Sequence, residues 1–263
     1  MNGHFDLYVG IDYSGAETPE SRLGGLQVYA ARPGGRPEPV RPRPQGRWSR
    51  REVAQWLLAT THGGPRLLVG IDHGFSFPEE YFRRYRLDSW PAFLADFCRY
   101  WPTDQPGCAV EHVRRGTWWS STPRPPGERT GATTALRLCE RWTSSTKSVF
   151  RFDFQGSVAK STHAGIPWLR YLREEGGDRI FFWPFDGWRP PEAKSVLAEV
   201  YPSIFRHRYP RDGRTPDEHD AYAVARWLEE TDRNGMLDRY LDPPLTSPER
   251  RTAALEGWIL GIA

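Results

Sequence analysis

The feature that most constrains this chain is a hexapeptide, Leu7-Tyr8-Val9-Gly10-Ile11-Asp12, that is almost copied at Leu67-Leu68-Val69-Gly70-Ile71-Asp72. Each copy is a short apolar run that ends on an aspartate, the pattern of a strand buried in a parallel sheet. Side chains alternate along a strand, so Val9 and Ile11 share one face while Gly10 and Asp12 share the other. In open α/β sheets, sites form beyond the carboxyl ends of the strands, where both aspartates fall. If the strands are neighbours, two carboxylates ~5 Å apart at an effective dielectric of ~20 repel by roughly 3 kcal/mol. A shared proton, a basic side chain or a divalent cation must offset that repulsion. One aspartate alone could simply cap a turn. The repeat is harder to explain as two independent caps.

The chain of 263 residues is expected to fold as a single α/β domain, 1–263, with an elaboration at about 78–150. No apolar run approaches the ~20 residues of a membrane span. Met1 to Asp6 has neither a basic nor an apolar leader segment, so no signal peptide is expected. Cys98, Cys108 and Cys139 show no CxxC spacing, which suits a reducing, cytoplasmic setting and argues against a thiolate zinc site. The net charge of +3 is uninformative, but its distribution is not. Arg32, Arg36, Arg41, Arg43, Arg47, Arg50 and Arg51 cluster around a single acid, Glu38, and Arg206, His207, Arg208, Arg211 and Arg214 precede Asp217-Glu218. Basic loops beside an acidic centre suit a polyanion approaching a metal site. Solvated surface arginine is the plainer explanation.

Strands are expected at 25–30, 149–154, 179–183 and 196–201, with a Pro-rich extended edge at 32–45. Ser49 and Glu52 form a capping box for a helix that stops near Gly63. Short helices are expected over 78–84 and 90–100, and a mobile loop over 118–134. Gly156-Ser157 opens a helix in which Pro167 marks a kink or a fresh start. Thr215, Pro216 and Glu218 begin the best-defined helix, whose apolar stripe is Ala221, Val224, Ala225 and Leu228. Asp217 and Asp220 lie on or beside that stripe. A final helix starts at Ser247-Pro248 and runs through Leu255 and Trp258-Ile259-Leu260.

Asp12, Asp72, Glu199, Asp217 and Asp220 resist a merely structural explanation, Glu199 because it interrupts an apolar strand. Carboxylates without an ordered histidine or cysteine set favour hard, oxygen-liganded ions, Mg²⁺ or Mn²⁺. Two such ions clamp the attacking and leaving oxygens in phosphodiester hydrolysis. An arginine partner for Glu199, such as Arg206 or Arg208, is the alternative. Lys160 beside a helix N-terminus, with Arg206 and Arg208, supplies candidate phosphate contacts. His73, His163 and His219 are weaker candidates as proton carriers.

The strand order, the acid on the first strand and the late-helix acid pair resemble the ribonuclease H-like superfamily, and Asp217-x-x-Asp220 resembles its Holliday-junction resolvases. The segments VGIDYSG (9–15), VGID (69–72), GSVAKSTHAGIPWL (156–169), FFWPFDGW (181–188), AEVYPS (198–203), DEHDAYAVA (217–225) and EGWI (256–259) are similar to the family called domain of unknown function 429. Its members are described as predicted ribonuclease H-like nucleases. The resemblance implies a mixed five- to six-stranded sheet flanked by helices on both faces, and a metal-dependent nuclease acting on DNA or RNA. Asp12, Asp72, Glu199 and Asp220 would be its metal-binding acids and Asp217 a fifth. His73-Gly74 departs from the small residue and proline expected after Asp72. Two other classes fit part of the pattern. One is an actin- or sugar-kinase-like phosphotransferase, marked by ATP turnover. The other is a non-catalytic nucleic-acid-binding protein of the same fold, marked by binding without cleavage.

Overall fold

Both hexapeptides form strands, and the strands lie side by side. In the computed structural model, β1 (Leu7–Asp12) pairs in parallel with β4 (Leu67–Asp72), matching Val9 to Val69, Gly10 to Gly70, Ile11 to Ile71 and Asp12 to Asp72. The structure describes residues 4–263 except 43, 45, 122, 144–146 and 154–156. Arg43 of the basic segment, Thr122 of the expected loop, Phe154 of an expected strand and Gly156 ahead of a helix therefore lie outside the described residues.

The fold is α/β, with a mixed sheet of seven strands in the order β3-β2-β1-β4-β6-β5 and β7 also paired to β6. β2 (Gln27–Ala31) and β3 (Glu38–Pro39) form the antiparallel edge, while β5 (Ile180–Trp183), β6 (Ser195–Val200) and β7 (Ile259–Leu260) extend the parallel part. The helices are α1 (Arg50–His62), α2 (Glu79–Tyr85), α3 (Trp90–Tyr100), α4 (Val110–Arg114), α5 (Leu138–Arg141), α6 (Val158–Gly176), α7 (Pro216–Arg233), α8 (Leu237–Leu241) and α9 (Ser247–Glu256). None among the described residues is long and apolar enough to cross a membrane.

The two sheet faces carry separate cores, as strand alternation requires. Val9, Ile11, Val69, Ile71 and Leu197 pack with Val53 and Leu57 of α1 and Ile166 and Leu169 of α6. Tyr8, Leu68, Ala198 and Val200 pack with Val224, Trp227 and Leu228 of α7. The Ser49–Glu52 and Thr215–Glu218 capping boxes both form.

Three expectations need correction. The sheet has seven strands rather than five or six, because Gly257, at φ 78°, ends α9 and turns the chain into β7. Trp258-Ile259-Leu260 therefore leaves the helix. No strand forms over 149–153, where Val149 and Phe150 are buried as side chains of an irregular segment. Pro167 does not start a fresh helix but lies inside α6. Its ring removes the donor to the His163 carbonyl, which instead accepts from Thr103 Oγ1 at 2.8 Å.

Candidate functional site

The glycines of the repeat determine where the acids meet. A Cβ on Gly10 would stand 2.1 Å from the Ala221 carbonyl oxygen, and one on Gly70 would stand 2.7 Å from Val224 Cγ1. Only glycine lets α7 press this closely onto β1 and β4. The first turns of α7 thereby extend over the carboxyl ends of these strands. Glu218 accepts from the Thr215 backbone N–H at 3.0 Å and serves the cap, while Asp217 and Asp220 line a cavity of about 700 Å³ together with Asp12 and Asp72.

Asp12 and Asp72 are paired in register, so both carboxylates leave the same face of the sheet. Among the described residues, neither accepts a hydrogen bond, and neither does the Asp217 carboxylate. Burial, then the charges of Asp72, Asp217 and Asp220, hold the Asp12 carboxyl well above the usual range, with Arg206 opposing. Burial, then Asp220 and Glu199, push Asp72 up to about 8, again against Arg206. Asp220 is raised by burial and pulled back by Arg206, whose Nη1 donates to Oδ2 at 2.9 Å and Oδ1 at 3.3 Å. These are the acids of a site short of positive charge.

Glu199 borders the cavity but is already partnered. Its register mate is Ile71, so it leaves the sheet on the face opposite Asp72. Arg137 donates to it from Nη1 at 2.7 Å and from Nη2 at 2.5 Å, and the Phe75 N–H adds a third bond at 2.9 Å. The guanidinium is supplied by the segment before α5, not by Arg206 or Arg208. Arg137 is fully buried and also donates from Nε to Glu140 at 2.9 Å. Glu256 is likewise structural, since it accepts from the Glu79 and Leu138 backbone N–H groups where α2 and α5 begin.

The basic groups are redistributed relative to expectation. Lys160 borders the cavity, but its ammonium pairs with Glu111 at 2.9 Å. Arg206 lines the cavity, whereas Arg208 is exposed and outside its lining. In the N-terminal basic segment, Arg41 pairs with Glu218 and Arg51 with Glu20. Arg50 is fully buried, and its guanidinium holds the carbonyls of Ser14, Ala16 and Glu17 at 3.1, 2.6 and 3.0 Å. It fixes the turn that follows Asp12, a role no sequence signal separated from its surface neighbours.

His73 and His163 are buried with Nδ1 against backbone carbonyls, and His73 borders the cavity. His73 Nδ1 lies 2.9 Å from the Gly74 carbonyl oxygen, its ring meets Tyr13 edge-on at 4.5 Å, and it fills the space left by Gly165. Thr162 Oγ1 accepts from the Gly74 N–H at 2.9 Å, so α6 pins the turn after Asp72 that His73-Gly74 had left open. Burial depresses His73 to about 4 and His163 to about 3, leaving both neutral near pH 7. His219 packs within α7 with Nε2 3.2 Å from the Arg206 carbonyl oxygen.

Among the described residues, no three His, Cys, Asp or Glu side chains are gathered tightly enough to form a ready-made metal cage. The acids share a cavity rather than a single coordination point. Three of them, Asp12, Asp72 and Asp217, have carboxylate oxygens with no hydrogen-bonding partner there, a donor set that suits a hard cation. Comparisons with family models, curated proteins and solved structures give no match for this chain.

Proposed function

We propose that this protein is a Mg²⁺- or Mn²⁺-dependent nuclease of ribonuclease H-like architecture, hydrolysing phosphodiester bonds at the cavity above β1 and β4. The resemblance to domain of unknown function 429 supports the same reading. The observation that carries it is the in-register pair Asp12 and Asp72, unbonded and facing the acids of α7. Asp12 and Asp72 would hold the cation, with Asp217 and Asp220 approaching from the helix. Glu199 contributes as a positioning residue, because Arg137 already occupies its oxygens. Bound Mg²⁺ or Mn²⁺ supplies a Lewis acid for the phosphate and a more acidic water. The chain's own cations, Arg206, Lys147 and Lys160 on the cavity wall, attract and orient the phosphate backbone.

The test is cleavage of labelled single-stranded, duplex and branched DNA and RNA in Mn²⁺, for the wild type and for Asp12→Asn. Cleavage by the wild type and its loss in a folded Asp12→Asn variant is the expected result. Wild-type protein that cuts none of these substrates, or an Asp12→Asn variant that cuts equally well, would overturn the proposal. A second reading, a non-catalytic nucleic-acid-binding protein, is favoured by the Arg206–Asp220 ion pair, which already neutralises one acid. Binding without cleavage in Mn²⁺ would select it.

A further inference from the structure

We infer that Arg206 is an exchangeable counter-ion: it neutralises the acids of the cavity until a divalent cation arrives, and is then released to grip a phosphate of the substrate. This rests on the metal-dependent reading above and gives that site a coupling between metal and substrate binding. Two arginines bind carboxylates around this cavity in contrasting ways. Arg137 is a permanent partner, fully buried and bonded to Glu199 through two nitrogens, to Glu140 through Nε and to the Glu256 carbonyl. Removing such a guanidinium from its carboxylates would strand buried charge. Arg206 is different. Among the described residues its side chain is bonded only to Asp220 and only through Nη1, and it remains 36% exposed. Nothing observed holds its other nitrogens.

Its charge nevertheless reaches further than its contact. Arg206 opposes the raised carboxyls of Asp12, Asp72 and Asp220 alike. It is therefore the common cation of three of the four aspartates that line the cavity. A doubly charged ion among those acids would compete directly with the guanidinium for them. The backbone around Arg206 need not move for the exchange. It lies in the short turn Arg206–Arg208, and its carbonyl is held by the His219 ring, so only the side chain has to swing. The planar guanidinium, once off Asp220, is well suited to paired bonds with a phosphate.

The experiment measures free Mn²⁺ by electron paramagnetic resonance during titration of the full chain, for the wild type, Arg206→Gln and Arg206→Lys. A phosphorothioate single-stranded oligonucleotide is then titrated with and without saturating Mn²⁺. Removing a unit charge ~6 Å from a doubly charged ion in a water-like dielectric tightens its binding by about tenfold. Arg206→Gln is therefore expected to bind Mn²⁺ about tenfold more tightly, Arg206→Lys close to wild type. Mn²⁺ should strengthen oligonucleotide binding by the wild type, and Arg206→Gln should lose that gain. Equal or weaker Mn²⁺ binding by Arg206→Gln, beside normal binding by the wild type, would overturn the exchange alone. Wild-type protein that binds no Mn²⁺ would overturn the metal-dependent reading itself.

Discussion

Replacing Asp72 by Asn should stabilise the metal-free protein, and increasingly so as the pH rises. Neighbouring parallel strands lie ~4.8 Å apart, so two in-register carboxylates at an effective dielectric of ~20 repel by roughly 3 kcal/mol. Burial and neighbouring acids push Asp72 up to about 8, whereas in the unfolded chain an aspartate titrates near ~3.9. The folded protein therefore holds a proton that the unfolded chain has released, and stability falls as pH climbs from the unfolded value to the folded one. Asn keeps the volume and cannot ionise. The stability difference between Asp72→Asn and wild type should grow by up to ~1.4 kcal/mol per pH unit between about pH 4 and pH 8, then level off. Over the part of that window from about pH 5.5 to pH 8 this amounts to ~3.5 kcal/mol, or a melting temperature higher by about 7–14 °C at the alkaline end. Thermal unfolding of both proteins in EDTA across this range provides the measurement. Comparing the two proteins cancels the opposing titration of His73 and His163, whose depressed values cost stability as pH drops below ~6.5. A pH-independent difference, or a variant less stable at high pH, would refute the claim that these carboxylates face each other unpaired.

Arg137→Met should cost about 3–5 kcal/mol in urea unfolding, because it strands Glu199 and Glu140 inside the protein. The further change Glu199→Leu should recover part of that loss, and no recovery would refute the pairing as its source. Gly10→Ala forces a Cβ against the Ala221 carbonyl, so α7 must shift and stability should fall by about 1–3 kcal/mol with weakened Mn²⁺ binding. Thr215→Ala removes only the cap, costing about 1 kcal/mol with Mn²⁺ affinity unchanged. Together these two variants separate α7's position from its stability.

The parts of the fold written in local pattern were legible in the sequence. The repeated hexapeptides, both capping boxes and the stripe of α7 each depend on residues a few positions apart, and each appears where the pattern put it. The meeting of Asp12 with Asp72 followed from the repeat itself, because near-identical strands in parallel register align their shared Val-Gly-Ile-Asp ends. The role of Gly10 and Gly70 was present in the same motif, since small residues on the aspartate face leave room for a helix. Long-range pairings were not legible. Arg137 lies 62 positions from Glu199 in an irregular segment with no periodicity, so no spacing announced it. Arg50 looked like its exposed neighbours until the turn at 14–17 closed around it. β7 has two residues and forms only because β6 offers it an edge.

Diffraction from crystals soaked in Mn²⁺ tests most directly whether Asp12 and Asp72 gather a divalent cation beneath α7. An anomalous peak bonded to both carboxylates, with the Arg206 guanidinium withdrawn from Asp220, is the predicted result. Crystals saturated with Mn²⁺ that show no peak at Asp12, with Arg206 still seated on Asp220, would contradict it.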